Sequence, residues 1–281
     1  MGATAVLSPQ WMAIINVTPD SFSDGGRFNT VDAALKQAEV AITAGATWLD
    51  FGAESTRPNA TPVSETEELK RLLPVLTAIR QEFPTFTGIS VDTQKAVVAQ
   101  EAIALGATLI NDISGLRTAG DALLEVIAPN PQVGLVLMHS VGTPQTMQTL
   151  TNYPLQGGVV SAVITELNQL KQRTEAFGIA QHRLWADVGI GFGKTLEQNL
   201  QLLQHLPVIS TAVGLPLLLG VSRKSCLTLG DTNIPSQHRD AASAMVAWQV
   251  ANQPKNGVEI FRVHDVAAHS IAFEWGNLLD A

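Results

Sequence analysis

The chain has a single cysteine, Cys226, in 281 residues, so no internal disulfide can form. It is also short of charge, with 15% Asp, Glu, Lys and Arg against 46% hydrophobic residues. That balance fits a large core with both faces of a sheet covered. The apolar residues are nonetheless interrupted, and no run approaches the ~18 needed to cross a bilayer. No basic-then-apolar leader opens the N-terminus. A cytoplasmic protein with no membrane partner is therefore expected. The net charge of −8 speaks against a nucleic-acid or anionic-membrane surface, which needs clustered Lys and Arg. Any anionic substrate must be held by local cations. The six histidines form no His-x-His or His-Glu-x-x-His pair, so a zinc hydrolase centre is not expected. No Pro/Gly/Ser-rich linker or charge block divides the chain, and residues 1–281 are expected to form one domain.

What is present is an alternation. The apolar run 11–15 breaks abruptly into residues 16–26, Asn-Val-Thr-Pro-Asp-Ser-Phe-Ser-Asp-Gly-Gly. Pro19, Gly25 and Gly26 cannot continue a ladder, so the run reads as a buried strand that ends at the surface. Val31, Leu35, Ala38 and Ile42 then share a helical stripe that Gly45 can close, and 47–51 reads as a second strand. Leu69, Leu72, Leu73, Leu76 and Ile79 repeat the helical spacing behind an acidic start at 65–68, which suits a helix N-terminus. A strand follows at 87–91, and residues 105–111 echo 44–50 as a repeated helix, cap and strand. Further strands are predicted at 133–138, 184–187, 216–221 and 258–263, with helices from about Gly158, Leu196, Pro235 and Val266. Eight such units predict an α/β fold, a (β/α)8 TIM barrel, with a doubly wound open sheet as the alternative.

A barrel builds its site at the carboxyl ends of its strands. The sequence places there Asn16, Glu54-Ser55-Thr56-Arg57, Asp92, Asn111-Asp112 and His139, then Asp187, Ser222-Arg223-Lys224-Ser225 and Arg262-Val263-His264-Asp265. Some of these would serve as helix caps, as Asp92 or Ser114 could. The rest call for a ligand, because a buried polar group is costly without a partner. Asp92, Asn111 and Asp187 offer acceptors suited to a flat heterocycle with adjacent N–H donors, the edge that guanine or a pterin presents. Arg57, Arg262 and His264, with Asn16 and Asp24 able to hold a hydrated Mg²⁺, suit a phosphate or diphosphate.

Other chemistries fit less well. The run Gly189-Ile190-Gly191-Phe192-Gly193-Lys194-Thr195 tempts towards a nucleotide loop, but a P-loop needs glycine at Val188 and a dinucleotide fingerprint needs it at Lys194. The glycines are instead expected to shape a turn that brings backbone and Phe192 close to a ligand. Cys226 lacks a spaced partner or an evident base, and Lys224, beside Arg223 and two hydroxyls, suits an anion or carbonyl donor better than a Schiff base.

At eight strand ends the motifs resemble dihydropteroate synthase, a pterin-binding barrel family. They are 16–26, Glu54-Ser55-Thr56-Arg57-Pro58, Ser90-Val91-Asp92-Thr93, Ile110-Asn111-Asp112-Ile113, Met138-His139, Asp187 through Lys194, Ser222-Arg223-Lys224-Ser225 and Arg262-Val263-His264-Asp265. The resemblance implies an enzyme of folate biosynthesis, usually a homodimer, that joins 6-hydroxymethyl-7,8-dihydropterin diphosphate to 4-aminobenzoate with Mg²⁺ and releases diphosphate. It implies Asp92, Asn111, Asp187, Lys224 and Arg262 as pterin ligands, and Asn16, Arg57, Arg262 and His264 on the diphosphate. Asn16 and Asp24 would hold the metal. Phe22, Thr56, Pro58, Phe192 and Ser225 would face 4-aminobenzoate, and Arg57, Asp92, Lys224, Arg262 and His264 would carry the catalysis. Sulfonamides, which mimic 4-aminobenzoate, are then expected inhibitors.

The chain departs from the family pattern at Val188, Ala53 and Ser140-Val141. A short lead before the first strand and a long link at 251–257 predict a less fully plugged barrel floor. Two alternatives stay open. A methyltetrahydrofolate-type pterin methyltransferase has no need for the 16–26 or Ser-Arg-Lys-Ser motifs, and a non-catalytic pterin-binding protein would have lost the phosphate side.

Overall fold

The computed structural model describes residues 9–18, 27–55, 60–143, 146–154, 157–231 and 233–280. Its strands are β1 (Gln10–Asn16), β2 (Trp48–Gly52), β3 (Ile89–Asp92), β4 (Leu109–Asp112), β5 (Gly134–Met138), β6 (Leu184–Asp187), β7 (Leu217–Leu219) and β8 (Val258–Val263). They pair in parallel in chain order, and β8 closes on β1. Around them lie α1 (Arg27–Thr43), α2 (Glu65–Glu82), α3 (Ala96–Ala104), α4 (Asp121–Ile127), α5 (Gly158–Ala176), α6 (Leu196–Gln204), α7 (Leu206–Val213), α8 (Asp240–Ala251) and α9 (Val266–Asp280). The predicted barrel is present, and the strands predicted at 184–187 and 258–263 fall on the observed bounds.

Local chemistry sets the ends of these elements. Ser64 caps α2 by accepting from the Glu67 amide, ahead of acidic residues in the first turn. Thr195 and Gln198 make a reciprocal capping box at the start of α6. The single helix expected from Leu196 is two: α6 stops at His205, and Pro207 occupies the first turn of α7, where its missing N–H costs nothing. A 3₁₀ turn, Ser236–Arg239, leads into α8 where the helix was expected from Pro235.

Side chains alternate across a strand, and the barrel interior shows that period. Met12, Leu109, Val136, Leu218 and Ile260 form one inner layer, with Trp48 and Trp185 packed against it. The larger apolar cluster fills the space between sheet and helices. Trp48 meets Trp185 edge-on, with ring centroids 6.4 Å apart. Trp48 Nε1 donates to Gln10, and Gln10 donates to Glu259. These side chains lie at the end of the barrel opposite the site, where the strands themselves supply two large, partly buried rings.

Two residues further along β2, β4, β6 and β8, the same inward face turns polar. Trp48 is followed by Asp50, Leu109 by Asn111, Trp185 by Asp187 and Ile260 by Arg262, while Leu218 is followed by Gly220. The step from apolar layer to polar mouth is therefore one strand repeat.

Candidate active site

Arg262 stands at the centre of this polar layer. Its Nε donates to Asp50 Oδ2 at 2.7 Å and its Nη2 to Asp92 Oδ2 at 2.9 Å. Asp50, fully buried, also accepts from the Ser90 hydroxyl. Burial disfavours the Arg262 charge, yet the carboxylates of Asp50, Asp92 and Asp187 keep its pKa raised. Burial lifts Asp92 to about 7, with Arg262 opposing and Asp50, Glu68 and Asp112 reinforcing the rise.

Strand register carries the site around the mouth. Asn16 pairs with Gly52, Gly52 with Asp92, and Asp92 with Asn111, so these positions stand side by side across β1 to β4. Gly52 leaves room there, since a Cβ would come within 3.6 Å of Asp92. Asn111 is 2% exposed, and its side-chain oxygen has no hydrogen-bond partner among the described residues. An orphaned buried acceptor at a strand end is a place for a ligand donor. Asp187 Oδ1 accepts from the Gly189 amide at 2.7 Å, and burial raises its pKa against the pull of Lys224. A Cβ on Gly220 would sit 3.9 Å from each of Arg262 Cβ, Asp187 Oδ2 and Lys224 Nζ, so three predicted ligands converge where glycine leaves space.

Lys224 donates to the Ile190 carbonyl, and its Nζ lies 4.7 Å from the centroid of the Phe192 ring. Burial lowers its pKa to about 8, with Asp187 opposing. Gly189, Gly191 and Gly193 all have positive φ, and a Cβ on Gly189 would collide with the His139 carbonyl at 1.9 Å. The run is thus the turn that its glycines predicted. Next along the rim, the Ser222 hydroxyl accepts from the His264 amide and lies 3.0 Å from His264 Nδ1. The pair ties the His264 ring to the β7 loop.

The structure therefore brings together Asp92, Asn111, Asp187, Lys224 and Arg262. Asn16 and His264 stand at the ends of β1 and β8 beside them, with Phe192 and the exposed Ser225 on the β6 and β7 loops. Phe22, Asp24, Thr56, Arg57 and Pro58 lie outside the described residues. Arg223 faces away from the mouth and makes a two-pronged ion pair with Asp240 of α8. Asp112 serves a turn, accepting from the Ser114 and Leu116 amides. Asp50 is the functional residue that the sequence pattern missed: it sits two residues past Trp48 on the inward face, and that alternation was the signal available.

A model of the family described as "Pterin binding enzyme" matches residues 12–264. Dihydropteroate synthase of Escherichia coli (strain K12) is 44% identical over 265 residues, covering 92% of this chain and 87% of that protein. The chain belongs to the dihydropteroate synthases. Among solved structures, the Yersinia pestis dihydropteroate synthase with a sulfonamide drug complex is 40% identical, with a TM-score of 0.82 over 100% of this chain and 98% of that one. The Xanthomonas albilineans dihydropteroate synthase in complex with 7,8-dihydropteroate is 33% identical, with a TM-score of 0.80 over 99% and 95%. Among the described residues no three of His, Cys, Asp and Glu converge on a metal position. Of the two residues expected to hold Mg²⁺, Asn16 ends β1 and Asp24 lies outside the described residues.

Proposed function

We propose that this chain condenses 6-hydroxymethyl-7,8-dihydropterin diphosphate with 4-aminobenzoate, and that the diphosphate departs before the amine attacks. The observation that carries this reading is the inner polar layer: Asp92, Asp187 and the unpartnered Asn111 oxygen around Arg262, with no nucleophile–base pair among them. Asp187 and Asn111 take the N–H edge of the pterin, and the Arg262 guanidinium, pinned by Asp50 and Asp92, lies against the ring.

The C–O bond between the pterin methylene and the diphosphate breaks with its electron pair going to the leaving group. The cation left on the methylene is stabilised by the carboxylates of Asp92 and Asp187, which are fixed before the reaction and need no reorganisation. The amine lone pair of 4-aminobenzoate then forms the C–N bond, and the displaced proton leaves to diphosphate or water. His264, tied through Nδ1 to Ser222, faces the departing phosphate oxygens, together with Asn16, Arg57 and Arg262. Mg²⁺ held by Asn16 and Asp24 would supply further charge neutralisation there. Phe22, Thr56, Pro58, Phe192 and Ser225 receive 4-aminobenzoate.

The test is diphosphate release on mixing the pterin diphosphate, 4-aminobenzoate and Mg²⁺. Release should be stoichiometric with 7,8-dihydropteroate, and release without the condensed product would overturn the proposal. We extend the proposal to a cytoplasmic homodimer. Exposed Leu200, Leu229 and Met245 border an apolar groove between α6 and α8, lined also by Leu203, Leu227 and Val246. Sedimentation at micromolar concentration should give twice the chain mass of 29.9 kDa.

A further inference from the structure

Lys194 closes the β6 motif, and its side chain bonds to its own loop and to His139. Its ammonium is buried, the residue being 5% exposed, and it turns back into its own loop. It donates to the Gly189 carbonyl at 2.8 Å and the Phe192 carbonyl at 3.0 Å, and lies 3.0 Å from His139 Nδ1. Three N–H donors thus meet three acceptors. The Gly189 carbonyl accepts from the Phe192 amide as well, so the lysine ties both ends of the turn, one of which is Phe192 itself.

The rest of the loop is held from behind in the same way. Asn199 accepts from the Gly191 amide, and the Tyr153 hydroxyl donates to the Gly193 carbonyl. His139 is kept neutral, its pKa pulled down to about 3 by burial and then by Lys194 and Arg117. With Nδ1 accepting from Lys194, its Nε2–H faces Glu166 at 3.5 Å, and Glu166 is paired with Arg117. A row of groups therefore runs from Arg117 on the surface to the back of the Phe192 turn.

A purely structural filler at this place would be apolar. Burying an ammonium is costly, and burial has pulled the Lys194 pKa down to about 7. Asp187 and Glu166 favour its charge, while Lys224 and Arg117 oppose it. That expense yields a defined position for one ring: Phe192, with Lys224 lying over its face.

We propose that Lys194 is a positioning residue that fixes the Phe192 turn against Lys224, and so sets the affinity for 4-aminobenzoate and its competitors without touching them. This rests on the reading that Phe192 walls the 4-aminobenzoate pocket. The test is steady-state kinetics on the full-length enzyme carrying Lys194→Met, Phe192→Ala, or both. Lys194→Met should raise the KM for 4-aminobenzoate tenfold or more, with much smaller changes in kcat and in the KM for the pterin diphosphate. Phe192→Ala should raise the same KM, and the double variant should add little to it, because both act through one ring. Lys194→Gln, which keeps two N–H donors, should recover part of the affinity and serves if the methionine variant does not fold. A lysine that only supports the fold would lower Tm and leave the KM for 4-aminobenzoate unchanged. An unchanged KM in Lys194→Met or Lys194→Gln, while Phe192→Ala raises it, overturns the proposal alone. An unchanged KM in Phe192→Ala overturns it together with the pocket reading beneath it.

Discussion

Asp187 gives Oδ1 to the Gly189 amide and keeps Oδ2 towards the space beside Gly220. In Asp187→Asn the carbonyl oxygen can keep the Gly189 bond, so the amide group is turned towards the N–H donors of the pterin. A donor facing donors in a buried site should cost about 2–4 kcal/mol of pterin binding, with Tm little changed. Calorimetry with the pterin checks this, and near-normal affinity would remove Asp187 from the site. Asp92 makes a different prediction, about pH. Its carboxyl titrates near 3.8 when unfolded and about 7 when folded. Between those values the native state holds a proton that the unfolded chain has released. The stability contributed by Asp92 is therefore full below about pH 4 and is lost as the pH rises through 7. Asp92→Asn has no such proton to lose, and Asp50 still holds Arg262 in it. The Tm of the variant relative to the parent should climb from pH 4 to pH 7 and then level off. A flat difference would mean that the folded carboxyl titrates as an ordinary one.

At the next scale, a buried ionic triad sits at the base of the β2 loop. Glu54 accepts from the Val63 amide with one oxygen and from Lys95 with the other, so it bridges the two ends of residues 55–62. Lys95 reaches on to Glu68 of α2. Side-chain exposures of 14% for Lys95, 11% for Glu54 and 1% for Glu68 place the triad out of water. Lys95→Met would leave two buried carboxylates without a cation and should cost about 3–5 kcal/mol, whereas Glu54→Gln, which keeps the Lys95–Glu68 pair, should cost far less. Urea denaturation of both variants decides it, and equal losses would mean that the triad is no strut. None of this triad was legible beforehand, although the strands around it were. Runs such as 184–187 and 258–263 declare themselves by apolar continuity, and the turn residues that follow mark where each ends. The partner of a buried charge has no local signature. Arg262 finds Asp50 across 212 positions, and Lys95 finds Glu54 across 41. Short α4 offers too few residues for a stripe, and the break at His205 depends on Pro207 starting a new helix rather than ending the old one. The polar residues at the strand ends were easier to read, because each follows an apolar strand directly and needs no knowledge of its neighbours.

On the proposed assignment, groups for both substrates share two short stretches of sequence, and that predicts an order. Phe22, for 4-aminobenzoate, and Asp24, for the metal, fall within 16–26, and Arg57, for diphosphate, falls between Thr56 and Pro58. A diphosphate bound at Asn16, Arg57 and His264 would then draw in the same stretches that are proposed to complete the 4-aminobenzoate pocket beside Phe192 and Ser225. Binding should be sequential: calorimetry should show 4-aminobenzoate binding weakly to the enzyme alone and much more tightly once diphosphate and Mg²⁺ are present. A sulfonamide shares the aniline ring and the acidic end of 4-aminobenzoate, and the Yersinia pestis relative has been solved with such a drug. The described part of the pocket, Phe192 and Ser225, carries no charged or bulky replacement that would reject the sulfonyl group. A sulfonamide should therefore compete with 4-aminobenzoate and should need diphosphate in the same way. Its inhibition constant should fall within about tenfold of the KM for 4-aminobenzoate, since discrimination beyond that requires more than ~1.4 kcal/mol against the larger group. An inhibitor that binds orders of magnitude more weakly would mean that the Phe192 turn stands closer to the substrate than its present contact with Lys224 allows. Tight binding of either ligand without diphosphate would mean that the pocket is complete before the first substrate arrives.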